Sequence, residues 1–523
     1  MPSSPARLWL IALTGVTLVL YGTRLDLVPA NLHDAEIQFG LHARALALTG
    51  HDANGRFLPV YLQMPQIGDN VWFHPFLAYW TAMFLWVLPF SEVGVRLPTA
   101  VLALANVMLV TAVARRMFGN NALGLLAGAL TALTPSHFLH GRVAMDYLHP
   151  AFFILAWLWC LIRFEATRQW WYVCLGAFVL GAGVYSYISS VMMMPLYLAA
   201  TIFFLWGLGA VTVRRAAGLV ALFAAPLLAA VAFVLANPII IEQTVARYAM
   251  GPPDSGAMMR ARWYLNYNAV QDQLSIYFDF FNPSYLFLAG GTDLMNSTRM
   301  AGVFLVGAAP LLVVGLYQAC MKQRTPMNLL LAFGFWSAPV AATFVRGSRA
   351  VDRELGIIPF ATLLSVLGWQ TMRADPRPWV RNVALGCALL APLQFGLFLA
   401  DYHGDYRARS AGAFENNLRG AVEEMVKRAD GTPHFYMSKS IPYALSYWRF
   451  ALAKSGNDAL DARASVIDLS KSDWAALPPN SLILGHRLDA RLKQQEQTGG
   501  LRLVYEAPEF ESESVFLVYE QKD

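Results

Sequence analysis

Long apolar runs fill the first four hundred residues and then stop. A crossing helix needs about 20 mostly apolar residues. Runs at 8–23, 96–113, 122–140, 149–164, 170–187, 190–210, 217–237, 300–319, 326–345, 355–372 and 380–400 fit that length, eleven in all. One further apolar stretch, Pro75–Phe90, is shorter. As a helix it would span roughly 24 Å, less than the ~30 Å hydrocarbon core. It reads as a helix lying at the interface between the aromatic anchors Trp72, Tyr79, Trp80 and Trp86. Beyond residue 403 the pattern changes to short strand-like runs at His434–Ser438, Ser465–Leu469, Ser481–Gly485, Leu501–Glu506 and Ser514–Glu520. Helix-like stretches at 414–429, 440–454 and 487–497 alternate with them. The chain is therefore expected to be an α-helical polytopic membrane domain, residues 1–403, followed by a small soluble α/β domain, residues 404–523.

Composition sharpens this division. Of 523 residues, 57% are hydrophobic and 14% charged, and the mean hydropathy is +0.43. Soluble globular chains carry about a quarter charged residues, so a single soluble enzyme, a disordered chain and a nucleic-acid binder are all excluded. The charge deficit is local, because residues 404–523 alone hold 15 Lys and Arg and 17 Asp and Glu. Short-loop charge then sets the orientation. With Pro75–Phe90 not crossing and the N-terminus inside, the inside loops carry Arg7, Arg115, Arg116, Arg163, Arg168, Arg214, Arg215, Lys322, Arg324, Arg373, Arg377 and Arg381. Only Glu165 and Asp375 oppose them. That topology places two long loops, 24–95 and 238–299, and the C-terminal domain on the outer, periplasmic face of the inner membrane. The four cysteines, Cys160, Cys174, Cys320 and Cys387, all lie in apolar stretches and suggest no disulfide framework. No Walker loop or GxGxxG motif is present.

Two acidic stretches on the outer side are candidates for chemistry. His33-Asp34-Ala35-Glu36 begins the first outer loop, with Asp34 where a helix N-cap would stand and Glu36 in the first turn. Arg142-Val143-Ala144-Met145-Asp146-Tyr147-Leu148-His149 forms a hairpin between two spans, where Asp146 also has an ion-pair reading with Arg142 four residues back. Ionisable groups at membrane depth are costly and tend to be functional. Arginine suits phosphate through its planar, permanently charged fork. Arg260 and Arg262 in the second loop, and Arg346, Arg349 and Arg353 between later spans, are the outer candidates. Asp34, Glu36 and His149 are candidate ligands for a divalent metal, with no diagnostic spacing and no metal required by the sequence.

An ordered set of motifs carries a family resemblance. It comprises Asp34-Ala35-Glu36, His74-Pro75-Phe76-Leu77-Ala78-Tyr79-Trp80, Val95-Arg96-Leu97-Pro98 and Ala114-Arg115-Arg116-Met117-Phe118-Gly119. Leu133-Thr134-Pro135-Ser136, Arg142 and Asp146 complete it. The set resembles the polytopic GT-C glycosyltransferases, within them the protein O-mannosyltransferase-like family 39, which includes the lipid A aminoarabinose transferases. The likeness extends over about residues 8–370 and leaves out the C-terminal domain. It implies a GT-C fold, a polyprenyl-phosphate-linked sugar donor, and transfer to a glycan, lipid or protein acceptor on the outer face. It maps the catalytic carboxylate to Asp34 and a second site acid to Asp146. Glu36, His74, Arg142, Arg260, Arg262, Arg349 and Arg353 become the candidates for binding donor and acceptor. Two departures stand out: Ala35 separates Asp34 from Glu36 where many members have adjacent acids, and His74 replaces a Lys of the aminoarabinose enzymes. The alternative is a transporter or flippase of lipid-linked sugars. It would place charges at mid-span, whereas here the span centres are nearly free of acids.

Overall fold

A computed structural model describes residues 4–66, 69–248, 257–344, 350–510 and 513–522. The chain starts with α1 (Ser4–Gly22) and α2 (Asp34–Thr49). A hairpin of β1 (Leu62–Gln66) and β2 (Asp69–Phe73) follows, then α3 (Phe76–Leu85). Next come α4 (Glu92–Phe118), α5 (Asn121–Ala132), α6 (Pro135–His140), α7 (His149–Thr167), α8 (Trp170–Gly183), α9 (Ser190–Gly207) and α10 (Val213–Ala236). Three shorter helices, α11 (Ile239–Tyr248), α12 (Ala257–Tyr264) and α13 (Tyr267–Asp279), precede α14 (Ala308–Tyr317), α15 (Pro326–Ser337), α16 (Ile357–Ala374) and α17 (Pro378–His403).

Each of the eleven apolar runs contains a helix. Among the described residues, six helical segments are long and apolar enough to cross a membrane. This is a multi-pass α-helical membrane fold. At ten residues, α3 spans only roughly 15 Å, too short to cross. Three runs are broken more than their hydropathy foretells. The run 122–140 divides at Pro135, which starts α6 because proline has no N–H to continue α5. The run 326–345 leaves the α-helix at Ser337 and ends as a 3-10 turn containing Pro339. In the run 300–319 the helix begins only at Ala308, because the N–H groups of Val303 and Phe304 bond the carbonyls of Tyr285 and Leu286 instead. Close packing uses glycine where α14 crosses α16: a Cβ on Gly315 or Gly368 would overlap a carbonyl oxygen of the facing helix.

After α17 come α18 (Tyr406–Arg409), α19 (Leu418–Lys427), β3 (Phe435–Ser438), α20 (Ala444–Ser455), β4 (Ala464–Ile467), β5 (Leu482–His486), α21 (Ala490–Gln497), β6 (Leu501–Glu506) and β7 (Phe516–Gln521). All five strand-like runs of the sequence are strands. They form one sheet in the order β4-β3-β5-β7-β6, parallel from β4 to β5 and antiparallel beyond. This domain is docked firmly. Leu32, Ile37, Val95 and Ala144 of the membrane part share one buried core with Leu418, Trp448 and Phe450. Tyr447 donates to the Leu32 carbonyl at 2.5 Å, and Lys454 pairs with Glu92 at 2.7 Å.

Candidate functional site

The site is built around the first turn of α2. His33, not Asp34, is the N-cap: its Nδ1 accepts from the Ala35 N–H at 3.1 Å. Glu36 closes the capping box by accepting from the His33 N–H at 3.0 Å. Asp34 is therefore relieved of capping. It is 3% exposed, with Oδ2 accepting from Gln38 Nε2 at 3.0 Å and Oδ1 lying 2.9 Å from His33 Nδ1. His33 Nδ1 donates to Asp34 only when protonated and caps the helix only when not. Burial lowers the His33 pKa, but Asp34, Glu415 and Glu36 around it prevail and raise it.

Glu415 comes from the C-terminal domain. Donor atoms of His33, Asp34 and Glu415 all lie within 4.8 Å of one another. Phe414 packs edge-on against the His33 ring at 6.4 Å. Glu415 holds a left-handed backbone at φ +58°, a costly conformation for a residue with a side chain that surrounding packing must impose. One imidazole and two carboxylates suit a borderline divalent cation such as Zn²⁺ or Mn²⁺. Among the described residues this trio, rather than Asp34, Glu36 and His149, is the set whose donor atoms converge closely enough to hold a metal ion.

Glu36 is committed elsewhere. Arg96 Nε and Nη2 donate to its two oxygens at 2.8 Å each, and the Ala144 N–H adds a bond at 2.8 Å. Arg96 spends its remaining N–H groups on the carbonyls of Leu25, Pro29 and Asn31. The pair ties the start of α2 to α4 and to the 141–148 hairpin, leaving Glu36 no lone pair for a metal or substrate. Arg142 is also structural. Its guanidinium caps the end of α1 through the carbonyls of Leu20, Tyr21 and Arg24, and it touches Tyr402 Oη at 3.3 Å. It makes no ion pair with Asp146.

Asp146 is 2% exposed and begins a 3-10 turn ahead of α7. Among the described residues no Lys, Arg or His forms an ion pair with it. The same hairpin places Val143 and Met145 against Ala35, so both acidic stretches meet in one region. Tyr147 and Tyr187 stand ring to ring at 5.4 Å, and Tyr187 Oη donates to Asp352 Oδ2 at 2.9 Å. Asp352 lies within electrostatic reach of Asp146. Tyr248 sees Asp146, Arg247, Arg353 and Asp352; burial first, then Asp146, push its hydroxyl up to about 12. Arg353 lies 3.8 Å from Asp352 and so beside this acidic cluster.

The remaining candidates are scattered. His74 is buried and edge-on to Tyr61, and burial drives its pKa down to about 4, so it is neutral and supplies no cationic charge. His149 is buried in the first turn of α7, packed edge-on against Phe76. Arg262 is exposed on α12. The Arg260 side chain, Arg346 and Arg349 lie outside the described residues. Sequence reasoning missed Glu415, Asp352 and Tyr187, which come from distant segments without any motif. Gln38 follows Asp34 by one turn of α2, and Arg96 lies in the Val95-Arg96-Leu97-Pro98 motif. A charge at the start of a span was the signal available for Arg96.

Comparison with known proteins bears on this geometry. The family model for dolichyl-phosphate-mannose-protein mannosyltransferase matches residues 73–241, a segment that contains Asp146 and begins after Asp34. ArnT from Cupriavidus metallidurans in the apo state superposes with a TM-score of 0.59 at 13% identity, over 99% of this chain and 98% of that one. The same protein bound to undecaprenyl phosphate gives 0.58 at 13% identity, over 98% and 97%. The archaeal oligosaccharyltransferase AglB from Archaeoglobus fulgidus, in complex with an inhibitory peptide and a dolichol-phosphate, gives 0.52 at 11% identity, over 86% and 64%. No curated protein matches the chain in sequence. At these identities the likeness is one of fold, the fold that ArnT and AglB also have.

Proposed function

We propose that the protein transfers a sugar from a polyprenyl-phosphate donor to an acceptor hydroxyl at the outer face of the membrane, with Asp34 as the base. The observation that carries this reading is Asp34 itself. It is a buried carboxylate released from helix capping and oriented on both sides, by Gln38 and His33. In the proposed step the acceptor oxygen bonds the anomeric carbon and the bond from that carbon to the phosphate oxygen breaks. Polyprenyl phosphate leaves, and the acceptor proton goes to Asp34. A polyprenyl phosphate is already a good leaving group, so the chain must supply a base and cationic stabilisation of the phosphate. Arg247 and Arg353, which share Tyr248 as a neighbour with Asp146 and Asp352, are described cations suited to that stabilisation. Family resemblance and the lipid phosphates bound to ArnT and AglB support the donor class.

The test is Asp34→Asn in full-length protein in membranes, supplied with labelled undecaprenyl-phosphate sugars. The substitution keeps shape and removes basicity. Release of undecaprenyl phosphate should fall by ~10²-fold or more, as expected for loss of a general base, at an unchanged melting temperature. Turnover close to the parent's would take Asp34 out of the mechanism.

A further inference from the structure

A cavity of about 470 Å³ opens between α2 and the C-terminal domain, beside the proposed base. Its volume falls in the range of small-molecule sites. Gln38 lines it and is 3% exposed. The Nε2 of Gln38 holds Asp34, while its Oε1 is buried with no hydrogen-bond partner. A buried amide oxygen is costly to leave unpaired, so a small rotation of the Gln38 side chain toward the cavity gives this atom a donor when a hydroxyl enters. The charges on the walls are already matched: Arg44 pairs with Asp458 at 2.7 Å across the domain seam, and Arg449 with Asp461 at 3.2 Å. Matched pairs offer donors and acceptors side by side but no net charge, which disfavours a phosphate. Leu41 and Leu452 add apolar surface suited to the C–H face of a sugar ring.

We propose that this cavity is an acceptor subsite for a neutral, hydroxyl-rich glycan, one hydroxyl of which donates to Gln38 Oε1. This rests on the transfer reading above and names the acceptor class for it. Asp34 lies one helical turn from Gln38, about 5.4 Å along the axis. The cavity therefore holds the sugar next to the one that reacts, and Gln38 couples a filled subsite to the position of the base.

Saturation-transfer NMR on the full chain in micelles, with maltotriose, mannobiose and diacetylchitobiose as probes, tests this. At least one saccharide should bind saturably, and inorganic phosphate should not compete. Ser446→Trp, which fills the cavity, and Gln38→Leu, which removes the acceptor, should each weaken binding at least tenfold. Absence of saccharide binding to the parent protein, displacement by phosphate, or binding indifferent to both Ser446→Trp and Gln38→Leu would overturn the proposal. An Asp34→Asn variant that still transfers would defeat the base assignment while leaving these binding results to stand or fall alone.

Discussion

Glu36 and Asp146 are both acids sealed from water, brought into one region by the 141–148 hairpin, and they are held in opposite ways. Four hydrogen bonds, two from one arginine, consume the Glu36 carboxylate. Asp146 has no cationic partner among the described residues and faces tyrosines and a second acid instead. A buried charge that is fully paired is part of the scaffold, and removing one partner strands the other. A buried acid left without a counter-charge is costly, and such groups gather at functional sites. The contrast separates the two halves of the machinery. Glu36 and Arg96 hold the turn that carries Asp34, whereas Asp146, Tyr187 and Asp352 form an acidic cluster with no cation paired to Asp146 among the described residues.

The sharpest way to break this contrast is to remove Arg96. Arg96→Met should destabilise the fold by roughly 3–5 kcal/mol by leaving Glu36 buried and unpaired, read as a fall in melting temperature in detergent. A small fall would mean that water reaches Glu36. The pH dependence has a fixed sign. Burial raises the Glu36 pKa, but Arg96 and the hydrogen bonds to Ala144 and His33 outweigh it and the net shift is downward. The stabilisation is thus present above the ordinary glutamate pKa and is lost as pH falls through the lower folded value. Thermal stability should drop on acidification in the parent, and less steeply in Glu36→Gln.

Asp146→Asn should behave in the reverse manner. Transfer should fall about 10–100-fold, a range typical of a lost charged contact at a reacting centre, while the melting temperature holds or rises. A variant as unstable as Arg96→Met would place Asp146 in the scaffold with Glu36. Glu415→Gln should cost less, about tenfold in transfer, because Glu415 neighbours Asp34 and His33 without itself taking the acceptor proton. Its signature is a changed acid limb of the pH–rate profile, with the His33 pKa moved down once an adjacent negative charge is gone. An unaltered profile would reduce Glu415 to a packing residue. The smallest effect belongs to Arg44→Ala at the domain seam. Its partner Asp458 is largely exposed, so the loss should stay under about 1 kcal/mol.

Much of the architecture was legible because membranes impose a one-dimensional constraint. Every backbone polar group in the hydrocarbon must bond within its own helix, so eleven apolar runs announce eleven helical regions, and a stretch of the length of Pro75–Phe90 announces one that stops short. Alternating strands and helices likewise announced the C-terminal sheet, since side chains there face core and solvent by local period alone. An ordered motif set singled out Asp34 and Asp146, and the fold buries both.

The remaining site was not legible, because its defining facts are partnerships between distant residues. Nothing local distinguishes Glu36 from Asp34, two positions apart in one turn; only the arrival of Arg96 and the Ala144 N–H makes one structural and leaves the other free. Arg142 and Asp146 stand at helical spacing, yet a non-helical hairpin turns one toward the end of α1 and leaves the other near Tyr147 and Asp352. Glu415 sits in a domain without any catalytic motif, and it reaches His33 only because α20 docks on α2. Sequence alone determined which segments are buried in lipid, because that depends on each segment's own hydropathy. Tertiary structure alone decided which buried charges are satisfied, because a carboxylate's hydrogen bonds are short and directional and depend on whatever the fold brings within 3 Å.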